Sequence, residues 1–344
     1  MAMKDSLALG MLEATRLTRA GNLLEATAAI RRALGGQHPV SRPGRTRVRP
    51  EPAPAVEIPQ GGAGEFIAGS YTHQQGARPY KLYIPTGYTA GKALPLVVML
   101  HGCTQNPDDF AAGTRMNRLG EERQCFVLYP AQTQSANQSR CWNWFKRAHQ
   151  RREKGEPAII AGMTREIVQR HGIDARKVFV AGLSAGGAMA AVMGAAYPEL
   201  YAAVGIHSGL PVGSAHDLPS AFAAMRGTPP ASASGAAAGR VAPAIVFHGD
   251  RDATVHPRNG AQVASQCADR HDEALDVIVQ SGQVQGGYAY TCSVHKDAGG
   301  RIVLEHWEVH GAGHAWFGGS ARGSYTDPNG PDASREMMRF FGLS

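Results

Sequence analysis

The stretch Val178–Ala190, VFVAGLSAGGAMA, decides the fold of this 344-residue chain. An apolar strand runs into GLSAG, which fits the pattern G-x-S-x-G, and a segment of small residues typical of a closely packed helix follows. In this strand–turn–helix context, Ser184 lies on a sharp turn at the carboxyl end of a strand, and the flanking glycines let the backbone approach closely. The stretch predicts a nucleophilic serine on an α/β fold. A chance pentapeptide in a chain with 42 glycines is the alternative.

Compact apolar runs alternate with helix-compatible segments along most of the chain. The runs occupy residues 94–100, 125–130, 177–182, 202–209, 243–249 and 304–311. Strands that alternate with helices predict a mostly parallel sheet with helices on both faces. Ahead of them, GEFIAGSYTH and ARPYKLYIPTGY alternate apolar and polar residues about a turn, which predicts an antiparallel hairpin. A hairpin that leads into such a sheet is how an α/β-hydrolase begins.

Composition divides the chain into three parts. Residues 1–36 carry apolar residues at helical spacing and predict a helical hairpin that docks on its own domain, on a second subunit as a homo-oligomer, or on another partner. Residues 37–60 are rich in Arg and Pro and predict a linker, because such a segment cannot bury a core. Residues 61–344 form the predicted catalytic domain. An Ala/Ser/Gly/Pro-rich segment at about 213–242 predicts a mobile surface insertion in it.

Charge and hydropathy limit the class of protein. The formal net charge is +7, and residues 31–50 hold six arginines and no acid. We expect no nucleic-acid partner, because no recognition motif accompanies these arginines. The apolar runs are shorter than the ~20 residues that cross a bilayer, so no membrane span is predicted. The N-terminus lacks a basic start, a continuous apolar core and a small-residue cleavage site, which predicts a cytoplasmic protein.

A serine nucleophile needs a base and an acid, which follow it along the chain in the order Asp, His. His314 comes directly after the last predicted strand, in GAGHAW, and is the predicted base. Asp252 is the predicted acid, because it has turned out of the strand PAIVFHG. Asp250 is the alternative and is expected to support the turn. Three further histidines near strand ends are weaker candidates for the base: His207, His248 and His310.

An acyl-transfer site also needs two N–H donors for the developing oxyanion. One is the N–H of Ala185, the residue after the nucleophile. The other belongs to the loop after the strand LPLVVML, where its position selects Cys103 in HGCTQ. Cys103 is also consistent with a plain buried cysteine.

A metal site is the rival interpretation of the segment from His248 to His256. Two histidines and two aspartates occur there, but no partner motif such as H-E-x-x-H occurs in the chain. We therefore predict no metal and no other cofactor.

Four segments resemble the esterase family of short-chain polyhydroxyalkanoate (polyhydroxybutyrate) depolymerases, with feruloyl and acetylxylan esterases among its relatives. They are LHGCTQNPDDFAAGTRMN, SRCWNWF, VAGLSAGGAMA and HGAGHAWFGGSARGSYTDPNGPDASREMMRFF, within a likeness that covers roughly residues 65–344. The resemblance implies an α/β-hydrolase fold and a serine hydrolase of carboxylic esters, and it supports the triad and Cys103. It also implies that three aromatic residues lie near the acyl pocket: Trp142, Trp144 and Tyr325. Core packing is the alternative for the two tryptophans.

The resemblance also bears on substrate and location. Secreted polymer-degrading members carry a signal peptide and a polymer-adsorbing domain. The absence of the first predicts a small or oligomeric ester, such as a 3-hydroxyalkanoate oligomer, over a solid granule. Extracellular location is the alternative to the cytoplasm. A binding module on the same fold, or a thioesterase or peptidase using the same triad, is the rival function.

Five cysteines leave at least one unpaired. Cys103 and Cys141 lie in two of the family motifs, so a disulfide between them would join the oxyanion loop to the Trp segment. Such a bond conflicts with a reducing cytoplasm. Cys267 and Cys292 form the other candidate pair.

Overall fold

The computed structural model describes residues 64–228, 242–271 and 273–343. The predicted helical hairpin at 1–36 and the predicted linker at 37–60 lie outside these residues.

Ten strands form one sheet within the described ranges. In chain order they are β1 (Glu65–His73), β2 (Gly76–Ile84), β3 (Leu96–Leu100), β4 (Phe126–Pro130), β5 (Val178–Leu183), β6 (Ala203–His207), β7 (Ala244–Gly249), β8 (Asp276–Gln283), β9 (Ala289–Lys296) and β10 (Ile302–Val309). Their order across the sheet is β1-β2-β4-β3-β5-β6-β7-β10-β9-β8. The six central strands, from β4 to β10, are parallel, and an antiparallel pair closes each edge.

The described chain also contains helices between the strands and a small second sheet. The helices are α1 (Pro107–Thr114), α2 (Met116–Glu122), α3 (Gly155–His171), α4 (Ala185–Ala196), α5 (Leu218–Met225), α6 (Arg258–Ala268) and α7 (Ala333–Phe340), with a 3₁₀ turn at Arg147–Gln150. Strands β11 (Trp316–Phe317) and β12 (Thr326–Asp327) pair in parallel.

The core strands are buried on both faces. Every residue of β3, β5 and β7 is buried, which explains why these strands appear in the sequence as continuous apolar runs. Stacked aromatic rings of Phe179 on β5 and Phe341, just after α7, join the sheet to the last helix. The predicted α/β fold, with a mostly parallel sheet behind an antiparallel hairpin, is confirmed.

Two features differ from the sequence expectation. The sequence analysis does not predict strands β8 and β9. Strand β8 is exposed along most of its length and therefore carries no buried apolar run. Part of the predicted insertion at 213–242 is a helix, α5, whose first turn is capped by the side chains of Asp217 and Ser220 in a reciprocal box. Residues 229–241 lie outside the described ranges.

Candidate active site

Ser184 occupies the turn between β5 and α4. Its φ of 58° and ψ of −119° fall in a region that non-glycine residues rarely adopt, so the backbone there is strained. The Ser184 N–H donates to the carbonyl oxygen of His207 at the end of the neighbouring strand, which helps to hold the turn. Ser184 is partly exposed.

The glycines on both sides of this serine are needed for space. A Cβ on Gly186 would lie 2.0 Å from the carbonyl oxygen of Leu100, and one on Gly182 would lie 2.4 Å from the backbone of Gly186. Both distances are shorter than any tolerated contact, because the obstacle is backbone that cannot rotate away. The two glycines therefore allow α4 to start directly against the ends of β3 and β5.

His314 and Asp252 are in contact. The Nδ1 atom of His314 lies 2.6 Å from Oδ2 of Asp252, and the Asp252 side chain is fully buried. The other oxygen, Oδ1, accepts the backbone N–H groups of Thr254 and Val255, each at 2.8 Å. Burial raises the pKa of Asp252, but hydrogen bonds from His248 and His314 outweigh it and hold the pKa well below its ordinary value. An ionised Asp252 fixes the Nδ1–H tautomer of His314.

The loops that carry this pair are bound to each other. Arg251 donates its N–H to the carbonyl oxygen of Ala312 at 3.0 Å, and Asp250 donates its N–H to Val309 at 3.1 Å. The carboxylate of Asp250 accepts the N–H of Gly311 at 2.7 Å and lies 3.2 Å from Nδ1 of His310. Asp250 thus fastens the turn after β10, while Asp252 contacts His314.

The two buried histidines that sequence alone left as rival bases are packed in the core. His207 is stacked against Phe247 and Trp316, and its Nε2 accepts the N–H of Phe317 at 3.1 Å. Burial, reinforced by the charges of nearby histidines, lowers the pKa of His207 well below its ordinary value. His248 is buried as well, and its Nε2 donates to the carbonyl oxygen of Val255.

The loop after β3 reaches the serine. A Cβ on Gly102 would lie 3.7 Å from Cβ of Ser184, so the loop passes close to Ser184 just before Cys103. Among the described residues, neither the Cys103 N–H nor the Ala185 N–H has a hydrogen-bond acceptor. Cys103 forms a disulfide with Cys141.

The three aromatic residues near the predicted acyl pocket have different environments. Trp142 has no exposed surface, and its Nε1 donates to the carbonyl oxygen of His101 at 3.1 Å. Trp144 is 6% exposed and packs edge-on against Phe145. Both tryptophans are buried, and their position near the acyl pocket stays a prediction. Tyr325 is 40% exposed, and its hydroxyl lies 3.2 Å from Oγ1 of Thr104.

The remaining expectations concern thiols, metals and membranes. Cys267 and Cys292 are free, so the second candidate disulfide is absent. In the described ranges, no group of three or more His, Cys, Asp or Glu side chains is arranged to hold a metal ion. No helix in that part of the chain is long and apolar enough to cross a membrane.

Sequence reasoning missed a buried polar cluster that contacts the loop after β3. Glu156 is 1% exposed and contacts Gln132, Asn143 and Arg78. The signal in the sequence is a glutamate at the start of the apolar helix segment GEPAII. The signal is faint, because a glutamate in the first turn of a helix is common on the surface as well.

The parallel sheet, the strained serine between strand and helix, and the Asp–His pair on the following loops define an α/β-hydrolase fold. The chain belongs to the Esterase PHB depolymerase family, whose model matches residues 78–281.

Relatives of two kinds match this chain. Poly(3-hydroxyalkanoate) depolymerase C of Paucimonas lemoignei is 33% identical over 244 residues, which make up 67% of this chain and 57% of that protein. The chain thus spans little more than half the length of this relative. A probable acetylxylan esterase A of Aspergillus flavus is 29% identical over 227 residues, or 61% of this chain and 72% of that protein. The acetyl xylan esterase structure from Aspergillus awamori shares the fold at a TM-score of 0.62 and 21% identity, over 81% of this chain and 100% of that one.

Proposed function

We propose that the protein hydrolyses carboxylic esters through an acyl-enzyme on Ser184. The observation that carries the proposal is the contact of 2.6 Å between His314 and the buried Asp252, on loops at the same edge of the sheet as the strained serine. The carboxyl ends of parallel strands β5, β7 and β10 meet at that edge. A serine, an aspartate and a histidine, in this order along the chain, are the parts of a catalytic triad.

In the first half-reaction, Oγ of Ser184 attacks the ester carbonyl carbon. Nε2 of His314, the nitrogen that Asp252 leaves free, takes the hydroxyl proton as the C–O bond forms. The negative charge moves to the carbonyl oxygen, where the N–H groups of Cys103 and Ala185 bind it. The bond to the alcohol then breaks, and His314 returns the proton to the leaving oxygen.

In the second half-reaction, water replaces the alcohol. His314 removes a proton from the water, which attacks the acyl carbon and forms a second tetrahedral intermediate. Its collapse releases the carboxylic acid and restores the Ser184 hydroxyl. Asp252 stays ionised throughout and stabilises the imidazolium that forms in each half.

The proposed substrate is a small ester or a soluble oligomer of short 3-hydroxyalkanoates. Family membership and the depolymerase relative support this class. An ester with an acetyl or feruloyl group is the second candidate, supported by the acetylxylan esterase relative. The exposed Tyr325 beside the oxyanion loop is the residue that we propose to contact the substrate.

The Cys103–Cys141 disulfide bears on location. Disulfides persist in oxidising compartments and are rare in the cytosol. We therefore favour an extracellular or periplasmic site of action over the cytoplasm that the N-terminal residues predicted.

The deciding experiment compares the wild type with Ser184→Ala on p-nitrophenyl acetate, butyrate and octanoate, beside a peptide and an acyl-CoA. We expect hydrolysis of the short esters by the wild type and a loss of at least about a thousandfold in the variant, because only binding and the oxyanion donors remain. Ester turnover by Ser184→Ala close to that of the wild type contradicts the assignment. Faster cleavage of the peptide or the thioester selects a rival substrate class.

A further inference from the structure

We propose that Glu156, Gln132 and His101 form a buried hydrogen-bonded relay that orients the peptide group carrying the Cys103 N–H. The three are positioning residues, since none of them touches the reacting atoms. The proposal rests on the proposed function, in which this N–H binds the oxyanion.

The relay begins at the first turn of α3. Glu156 is buried, and its Oε2 accepts the backbone N–H of Asn143 at 2.7 Å. Its Oε1 accepts side-chain N–H groups from Asn143 at 2.6 Å and Gln132 at 2.5 Å, and Arg78 lies 3.4 Å away. Burial raises the pKa of Glu156, but the hydrogen bond and charge of His149, with the bonds from Gln132 and Asn143, outweigh it and lower the pKa. The carboxylate is therefore a fixed anion with its acceptor sites occupied.

Gln132 connects Glu156 to the residues next to the loop that carries Cys103. Its side-chain amide donates to Glu156 and also to the carbonyl oxygen of Cys141 at 3.0 Å. Cys141 is the disulfide partner of Cys103. The backbone N–H of Gln132 donates to Nε2 of His101 at 3.1 Å. One buried glutamine therefore holds both the disulfide segment and the histidine next to the oxyanion loop.

The tautomer of His101 follows from these partners. A backbone N–H can only donate, so Nε2 must be the acceptor and the proton must lie on Nδ1. Nδ1 is 2.7 Å from the carbonyl oxygen of Gly102, to which it donates. Burial lowers the pKa of His101 to about 4, so the ring is neutral in neutral solution.

The hydrogen bond from His101 to the Gly102 carbonyl constrains the peptide group that carries the Cys103 N–H. The Gly102 carbonyl and the Cys103 N–H belong to one planar trans peptide, in which C=O and N–H point in opposite directions. Holding the oxygen toward the His101 ring therefore turns the Cys103 N–H away from the ring. Gly102 lies against Ser184, so the N–H is presented beside the nucleophile. Donation to the carbonyl also polarises the peptide and strengthens its N–H as a donor.

Two substitutions of His101 test the roles of Nδ1 and Nε2 separately. In His101→Asn, the side-chain amide keeps a donor at the position of Nδ1. In His101→Gln, the amide lies near the position of Nε2, and the bond to Gly102 is lost. We expect His101→Gln to lower kcat for p-nitrophenyl butyrate at least tenfold with KM within twofold, since a lost oxyanion donor costs roughly 10²–10³ in kcat. His101→Asn should recover most of that loss.

A matched pair of buried glutamates provides the second measurement and does not depend on the folding of a His101 variant. Glu156 and Glu305 are both nearly fully buried, and each has an arginine partner, Arg78 or Arg339. Glu305 contacts none of the relay. We expect Glu156→Gln to lower kcat and Glu305→Gln to leave kcat unchanged, with melting temperatures of both variants reported beside the rates.

The outcomes distinguish the two proposals. If the wild type hydrolyses the ester and Ser184→Ala does not, but His101→Gln and Glu156→Gln keep kcat within twofold of the wild type, the relay is wrong and the proposed function stands. Equal loss of kcat in His101→Asn and His101→Gln also overturns the relay. If the wild type hydrolyses no ester, the proposed function fails, and the relay falls with it.

Discussion

The carboxylate of Asp252 contacts His314 at 2.6 Å across 62 residues of sequence. Asp250, two residues earlier, lies instead 3.2 Å from His310. The two aspartates thus face two different histidines, although they leave the same strand. This separation lets their roles be tested independently.

Asp252→Asn should lower kcat by up to roughly 10⁴, because the amide donates where the carboxylate accepted and selects the wrong tautomer of His314. Asp250→Asn should cost far less, since Asp250 holds the turn through Gly311. Both substitutions keep side-chain size, so circular dichroism and melting curves provide the folding control. A larger loss in Asp250→Asn than in Asp252→Asn would move the acid of the triad to Asp250.

Thiol titration should find three free cysteines in denatured, unreduced protein and five after reduction, because one disulfide joins two of the five cysteines. The double substitution Cys103→Ser and Cys141→Ser should lower the free energy of unfolding by about 4 kcal/mol, as expected when the cross-link closes a loop of this length. Cys267→Ser is the control and should leave stability nearly unchanged. Five reactive thiols before reduction would rule out the disulfide.

Acid should destabilise the fold well before the carboxylates titrate. Burial lowers the pKa of His101 and of His306 to about 4, whereas an unfolded histidine titrates near ~6.5. Between these values the unfolded chain binds protons that the native state excludes, so stability falls as the pH falls from 6.5 to 4. Protonation of His101 alone accounts for about 3 kcal/mol of this loss in the free energy of unfolding.

Melting temperatures at pH 7 and pH 4.5, at constant ionic strength, measure this effect. His101→Asn cannot titrate and should show a smaller drop than the wild type. A wild-type melting temperature that is unchanged or higher at pH 4.5 contradicts the prediction.

Deletion of residues 1–60 should leave kcat and KM for short esters nearly unchanged and alter the oligomeric state. The reason is that these residues lie outside the family match at 78–281 and carry an apolar stripe of their own. Light scattering and ester turnover, measured on the same preparation, check both parts. A folded truncated protein without activity would place the N-terminal segment in the active site.

The central sheet could be predicted because its strands are buried on both faces. Each of the six apolar runs agrees with an observed strand to within two residues at each end. The order of Ser184, Asp252 and His314 along the chain followed from the same strands, since each residue lies within about five residues of the end of one of them. A strand that is buried along its whole length therefore appears in the sequence as an apolar run.

The contacts of an individual side chain cannot be predicted from the sequence in this way. The sequence SRCWNWF does not indicate whether its tryptophans are exposed or buried. Only the structure shows that Trp142 is fully buried. The partners of Glu156 are also invisible in sequence, because Arg78 is 78 positions away and Gln132 is 24. Polar contacts between distant positions depend on the fold and follow no local period.

The position of β10 between β7 and β9 also sets the order of events during synthesis of the chain. The pair β8–β9 leaves the ribosome before β10 but joins the parallel strands only through it, so the sheet cannot be completed until β10 is inserted. Such pairing of distant segments is slow compared with the formation of local structure. His314 lies in the loop that follows β10. A nascent chain that ends after β9 therefore carries Ser184 and Asp252 but lacks His314, so the esterase proposed here gains activity only after β10 and the loop that follows it are made.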